Sequence, residues 1–300
     1  HYGVYQPLKL PQDLASLYPF KNHFFRTENG HNLHYLDEGN CTGVPTLFLH
    51  GNPTWSFFYR NLINQFKHLC RCIAPDHIGC GLSEKSSEEK FKYDLKSHSE
   101  NINALLNHLK ISKVNLVVHD WGGAIGLAAF RNKTHLINKL VILNTAAFQS
   151  QDVPKRILIC RLPVIGSLLV RGLNLFAKGA SIMASTNSLS PEVKRGFLYP
   201  YDGWQNRIGV WKFVKDIPYE KTHPTRCILQ ETEDSLKNYE GTPKIACWGM
   251  KDFCFHGGFL KIWTNIFPEM VVCKFSESGH YLLEDDLEGC RSKVEPFLFS

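Results

Sequence analysis

Several signatures are missing from this 300-residue chain, and each absence closes off a class of function. No run of five basic residues occurs. The formal charge is +6 and the isoelectric point about 8.7, but Lys and Arg are scattered, so the concentrated basic footprint of a nucleic-acid binder is lacking and no such partner is expected. No run of eighteen apolar residues marks a membrane span. The fourteen histidines show no HExxH or comparable ligand spacing, and no glycine-rich dinucleotide loop follows the first strand-like run, so neither a metal nor another cofactor is expected. The ten cysteines contain no CxxC pair; several sit in apolar runs (HLCRCIAP, KIACWG, VVCKF), where buried free thiols are the simplest reading. Free thiols imply a reducing, cytoplasmic setting. The chain begins at His1 without a charged, apolar leader, which leaves a removed leader compatible with it.

What is present is a globular composition, 43% hydrophobic and 12% aromatic, enough for a sizeable core. From about residue 23, short β-like runs alternate with helical stretches. FFRTE, NLHYLDEG, PTLFLHG and CRCIAPD read as strands, LKSHSENINALLNHLKI as an amphipathic helix, and VNLVVHD as a buried strand. GAIGLAAFRNKTHL then reads as a helix, brought close to the sheet by Gly122, Gly123 and Gly126, and KLVILNTAAF as the next strand. This order predicts an α/β fold with a doubly wound, mostly parallel sheet.

Residues 150–235 break the alternation with apolar, glycine-interrupted and aromatic-rich stretches, which suggests an inserted helical lid. KIACWGMKD and VVCKFSESGHYLLED resume the strand pattern before an amphipathic tail. Residues 1–149 and 236–300 are therefore expected to form one core domain and 150–235 a cap.

Three constellations carry chemistry. In VVHDWGG, Asp120 stands at a strand–turn–helix corner where a nucleophile elbow would place its nucleophile; Gly122 fits that motif, and Val118 departs from its small residue. In FLHGNPTWSFFYR, the loop at Asn52 would lie beside the corner, and its backbone N–H could join that of Trp121 in holding an oxyanion. The late strand ends supply Asp252 and His280, completing the order nucleophile, acid, histidine. Singly, these residues have plainer readings as turn formers or helix caps. Three in this order, each following a strand, favour catalysis.

Together HGNPTWSFFYR, DHIGCGLS, VVHDWGG and SGHYLLED resemble the haloalkane dehalogenases of the α/β-hydrolase superfamily over about residues 20–300, most weakly in the lid. The resemblance implies Asp120 as nucleophile, His280 as base, Asp252 as its orienting acid, and Asn52 and Trp121 as side-chain donors to the departing halide. One branch of the family carries the acid after the strand that follows the nucleophile helix, where this chain has Asn144; asparagine cannot carry the charge, so Asp252 takes the role. An aspartate is already ionised at neutral pH and can attack an sp³ carbon without a base, leaving an alkyl ester that His280 would hydrolyse with a water. The expected reaction is conversion of a haloalkane to alcohol and halide, with a small apolar substrate and water as partners.

Two rivals use the same carboxylate machinery. Epoxide hydrolases add two lid tyrosines, and Tyr199, Tyr201 and Tyr219 are available here. The β-lactone decarboxylases of long-chain olefin synthesis resemble the same branch. The segment Ile157 to Ala184 is apolar, with Arg156, Arg161, Arg171 and Lys178 spaced along it, and could admit a long acyl chain or touch a membrane. The favoured expectation is that its apolar face packs on the sheet.

Overall fold

A computed structural model describes residues 7–299. Its centre is one eight-stranded sheet in the order β1-β2-β4-β3-β5-β6-β7-β8, formed by β1 (His23–Arg26), β2 (Asn32–Glu38), β3 (Thr46–Leu49), β4 (Cys72–Pro75), β5 (Val114–Asp120), β6 (Ile137–Thr145), β7 (Lys244–Gly249) and β8 (Val271–Phe275). β2 runs antiparallel to both neighbours, and every pairing from β4 through β8 is parallel. The chain is thus an α/β-hydrolase fold.

Why the middle strands read as unbroken apolar runs is visible in their surroundings. All seven residues of β5 are buried. Successive side chains point to opposite faces: Leu116 and Val118 join Leu47, Leu49, Leu140 and Ile142 in one core, and Val117 joins Phe48, Val141 and Leu143 in the other. A parallel sheet covered on both faces has no solvated side on which to place polar residues.

The helix Leu95–His108 starts where Asp94 accepts a hydrogen bond from the Ser97 N–H at 2.8 Å, and it buries Leu95, His98, Ser99, Ile102, Leu105 and Leu106 on one helical face. The helix after the corner runs from Trp121 to Phe130, shorter than the sequence pattern suggests. Thr134–Leu136 forms a separate turn before β6. A helix at Gly257–Ile266, which the sequence pattern did not announce, connects β7 to β8 and buries Phe259, Leu260 and Trp263.

Between β6 and β7 the chain forms helices joined by loops, with longer segments at Lys155–Cys160, Pro163–Ser167, Leu168–Gly172, Leu175–Met183, Pro191–Leu198, Ile208–Lys215 and Thr225–Ser235. The last of these shares the sheet core: its Ile228 and Leu229 pack in the cluster that holds Ile125 and Leu106. The expectation that Ile157–Ala184 lays its apolar face on the sheet needs correcting. Ile157, Val170, Ala177 and Ala184 are buried, but most large apolar side chains between Ile159 and Met183 are exposed. No helix among the described residues is long and apolar enough to cross a membrane. All ten cysteines are free, and five of them, Cys70, Cys72, Cys80, Cys247 and Cys290, are buried.

His98 makes the fold acid-sensitive. Its ring stacks on Phe213 (centroids 4.5 Å apart, planes at 14°), and neither ring nitrogen has a hydrogen-bond partner. Burial lowers its pKa to about 3, against roughly 6.5 in an unfolded chain. The folded state therefore binds fewer protons, and the stability is present above pH of about 6.5 and lost as the pH falls toward 3. Thermal unfolding midpoints should drop between pH of about 7 and 5, and His98→Phe should reduce that drop; an identical drop in the variant would contradict this account.

Candidate active site

The corner after β5 begins with a residue in an unusual backbone state. Asp120 has φ 51° and ψ −129°, outside the ordinary regions for a residue with a Cβ. Two features hold it there. The first turn of helix Trp121–Phe130 presses against β3, where a Cβ on Gly122 would overlap the Leu49 carbonyl. The Thr145 hydroxyl, at the end of β6, donates to the Asp120 carbonyl. The side chain is thereby lifted off the sheet toward a cavity, and the first helical N–H groups, unpaired by helix geometry, surround its base.

The two oxygens of Asp120 have different surroundings. Oδ1 accepts from the backbone N–H of Asn52 at 2.6 Å, and Oδ2 faces His280 Nε2 at 3.5 Å. On its other side, His280 Nδ1 donates to Asp252 Oδ2 at 2.7 Å. Asp252 is buried, and its Oδ1 accepts from the N–H groups of Cys254 and Phe255 at 2.6 and 3.0 Å. The structure thus brings Asp120, His280 and Asp252 into one line of contacts, from three loops that leave the same edge of the sheet.

Electrostatics follow from that line. Burial alone would push the His280 pKa down; the charges and hydrogen bonds of Asp252 and Asp120 outweigh it and hold it up, to about 10. For both aspartates burial works upward and the His280 imidazolium prevails, so each carboxyl lies below its usual range. Both carboxylates therefore favour the protonated form of His280.

The predicted halide donors are both at the cavity. Trp121 lines it, half-buried, with its ring against Phe213. Asn52 also lines it, but one N–H of its amide donates to the Val210 carbonyl at 3.1 Å, which ties the Asn52 loop to the helix Ile208–Lys215. Asn144 makes no hydrogen bond to His280. Its amide donates to the Gly249 carbonyl at 3.0 Å and accepts from the Gly249 N–H at 2.8 Å, anchoring the end of β7 from which the Asp252 loop departs.

The tyrosines of residues 150–235 stand elsewhere. Tyr201 is buried and donates to the Thr54 carbonyl at 3.3 Å, Tyr199 donates to the Lys9 carbonyl at 2.6 Å, and Tyr219 lies beside the Arg161 guanidinium. No tyrosine among the described residues lines the cavity.

Three positioning residues were not singled out in the sequence. Gly51 packs so closely on Asp120 that a Cβ there would strike the carboxylate. His119 donates from Nε2 to the His280 carbonyl at 2.9 Å and stacks between Phe58 and His280, with its pKa lowered to about 3 by burial. Asp285 accepts from the Gly279 N–H at 2.7 Å and the Thr186 and Asn187 N–H groups at 2.9 and 3.0 Å, fastening the His280 loop to the inserted segment. Position in HGN, VHD and LLED was the available signal, but nothing in the residue types distinguishes these roles.

The cavity measures about 430 Å³. Asp120, Asn52, Trp121 and His280 form its polar end; Phe148, Phe176, Val214, Ile217, Phe255 and Phe259 contribute apolar wall.

An α/β hydrolase fold profile matches residues 44–163. Among curated relatives, the cis-3-alkyl-4-alkyloxetan-2-one decarboxylase of Shewanella oneidensis is 39% identical over 290 residues, covering 95% of this chain and 90% of that one. Haloalkane dehalogenase 2 of Mycobacterium tuberculosis is 30% identical over 274 residues, covering 90% and 92%. Among solved structures, the haloalkane dehalogenase DbeA of Bradyrhizobium elkanii superposes with a TM-score of 0.82 at 23% identity, covering 93% of this chain and 98% of that one. DatA of Agrobacterium tumefaciens superposes at 0.83 and 22%, covering 93% and 96%. With its elbow at Asp120 and its sheet order, the chain belongs to the α/β-hydrolase superfamily, in the group that unites haloalkane dehalogenases with cis-3-alkyl-4-alkyloxetan-2-one decarboxylases.

Proposed function

We propose that Asp120 displaces an anionic leaving group from an sp³ carbon, and that the substrate is a β-lactone with two alkyl arms, converted to an alkene and carbon dioxide. The observation that carries this reading is the cavity: largely apolar along its walls, with Asp120, Asn52, Trp121 and His280 together at one end and Ser150, Asp152, Arg156 and Thr225 as the other polar side chains of its lining. Such a space suits long hydrocarbon arms around one small polar ring. The 39% identity with an oxetanone decarboxylase supports the same reading.

The steps follow from the geometry. Oδ1 is engaged by the Asn52 N–H, so Oδ2 attacks the ring carbon that bears oxygen, and that C–O bond breaks with inversion. The released carboxylate takes the place a halide would occupy, beside the Trp121 indole N–H and the Asn52 amide. The bond from carboxylate to carbon then breaks, its electron pair forms the double bond, and the ester C–O bond to Asp120 breaks. Asp120 is returned as a carboxylate beside the His280 cation. Inversion followed by anti elimination leaves both alkyl arms on one side, so a cis lactone yields a cis alkene. No water and no net proton transfer are required.

Haloalkane hydrolysis is the second reading, and it shares the first step. It differs afterwards, because the alkyl ester must be hydrolysed. Alkylation removes the negative charge of Asp120 that helps hold the His280 pKa up. The imidazolium then releases its proton to solvent more readily, and the neutral imidazole, oriented by Asp252, takes one from a water whose hydroxyl adds to the ester carbonyl of Asp120; the C–O bond from that carbonyl carbon to the alkoxy oxygen breaks, and the alcohol leaves with the proton from His280. Epoxide opening lacks support, since Tyr199, Tyr201 and Tyr219 do not line the cavity.

These routes separate in one variant. Asp120→Asn should abolish both alkene formation from a cis-3,4-dialkyl-oxetan-2-one and halide release from a bromoalkane. His280→Gln should release one equivalent of halide and retain the alkyl adduct on Asp120 by mass spectrometry, yet still form alkene at a reduced rate. Steady halide turnover by His280→Gln would refute the base assignment, and absence of alkene from the unaltered protein would refute the lactone reading.

Gly51→Ala should lower activity by about 10²-fold or more through displacement of Asp120, in keeping with the sensitivity of reacting groups to small misplacement. Little change in kcat would show that the close contact at Gly51 does not set the nucleophile. In the pH profile, the acid limb of the alkylation step should lie below the ordinary carboxylate range, because the Asp120 pKa is depressed; single-turnover rates against pH check this.

A further inference from the structure

The chain between Lys155 and Met183 is apolar on two opposite sides. In Pro163–Gly172, Gly166 and Val170 face inward one turn apart, and Val164, Ile165 and Leu168 occupy the outer side. In Leu175–Met183, Ala177 and Ser181 are buried, while Leu175, Ile182 and Met183 are exposed. Val164 and Ile182 are each 70% exposed. Nine of the thirteen large apolar side chains that are exposed among the described residues lie between Ile159 and Met183. These pieces pack on one another in sequence, and Arg156 Nη1 reaches Met183 Sδ at 3.3 Å, joining the first helix to the last. A helix apolar all round requires either burial or lipid, and a concentrated exposed apolar patch marks an interaction surface.

Charge selects the occupant. Residues 153–183 contain five basic residues, Lys155, Arg156, Arg161, Arg171 and Lys178, and no aspartate or glutamate. Arg161 is paired with Glu220, and Arg171 is buried with its Nε donating to the Trp204 carbonyl. Lys155, Arg156 and Lys178 are exposed within the same segment as the exposed apolar side chains, Arg156 with its guanidinium 3.9 Å over the Phe253 ring. An exposed apolar segment that also carries only cations matches a layer of anionic headgroups above acyl chains. A second copy of this chain, meeting the patch about a two-fold axis, would set these like charges against one another.

The cavity reaches the same surface. Ile159, Leu175 and Met183 are exposed and also line the cavity, so one set of apolar side chains serves both. We propose that the face of residues 159–183 docks on an anionic lipid bilayer and that the alkyl arms of the substrate enter the cavity from the acyl layer beneath it. The docking stands on the patch; the entry of long arms rests on the dialkyl-lactone reading.

Vesicles of phosphatidylcholine, alone or mixed with phosphatidylglycerol, provide the test by flotation. The protein should float with the anionic vesicles, less with the neutral ones, and less again at high salt. The fourfold variant Val164→Ser, Ile165→Ser, Leu168→Ser, Ile182→Ser alters none of the cavity-lining residues and should lower the partition coefficient by at least about tenfold. It should keep full turnover of a short, water-soluble dialkyl lactone and lose turnover of a long-chain one supplied in vesicles. Absence of flotation, equal flotation of the variant, or a self-associating protein that the four substitutions make monomeric would each overturn the docking. Intact flotation without turnover of any lactone would instead overturn the substrate reading and leave the docking in place.

Discussion

The backbone of Asp120 is the constraint on which the site depends. A residue with a Cβ is held at φ 51° because β5, the helix Trp121–Phe130 and the end of β6 meet too closely for any gentler turn. The packing of a large core stabilises this strained geometry. In return, the carboxylate leaves the plane of the sheet and stands at the helix N-terminus, within reach of the Asn52 N–H and of His280. Glycine at 122 is required for the closeness, and glycine at 51 for the room beside the carboxylate.

A second dependence is electrostatic. Two buried carboxylates flank one buried imidazole, and each charge is tolerable because of the others. Under the proposed chemistry, alkylation of Asp120 would change this balance by removing one of the two charges that face His280. Were Asp120 an ester, the histidine would face one anion instead of two, its pKa would fall and its neutral, proton-accepting form would become available; return of the carboxylate would favour the cation again. A hydrolytic pathway would then use the neutral base, and an eliminative one would use the cation to receive a returning carboxylate.

Much of this was legible in the residues. Unbroken apolar runs such as VNLVVHD required a sheet covered on both faces, and the turn chemistry after them marked where side chains with reactive groups leave it. Asp120, Asp252 and His280 stood out because each follows a strand, and parallel strands bring their ends to one edge. The helix Gly257–Ile266 was obscured by its two leading glycines. Asn144, read only as unfit to be the acid, anchors β7 through two hydrogen bonds, a role that depends on a strand a hundred residues away.

Residues 150–235 were less legible. Their apolar content was plain, but the side to which each residue turns was not, because a helix apolar all round has no periodicity to orient it. Only the folded chain places Ile157 and Val170 inside with Val164 and Ile182 outside, and turns Tyr199, Tyr201 and Tyr219 away from the cavity. The amino-acid sequence by itself determined the sheet, the corner and the order of the reactive groups, since these follow from local periodicity and from chemistry confined to a few adjacent residues. The tertiary structure alone decided which oxygen of Asp120 is engaged, which amide N–H of Asn52 is taken by Val210, and which apolar side chains meet solvent. Those depend on contacts between residues far apart in the chain, which local pattern does not encode.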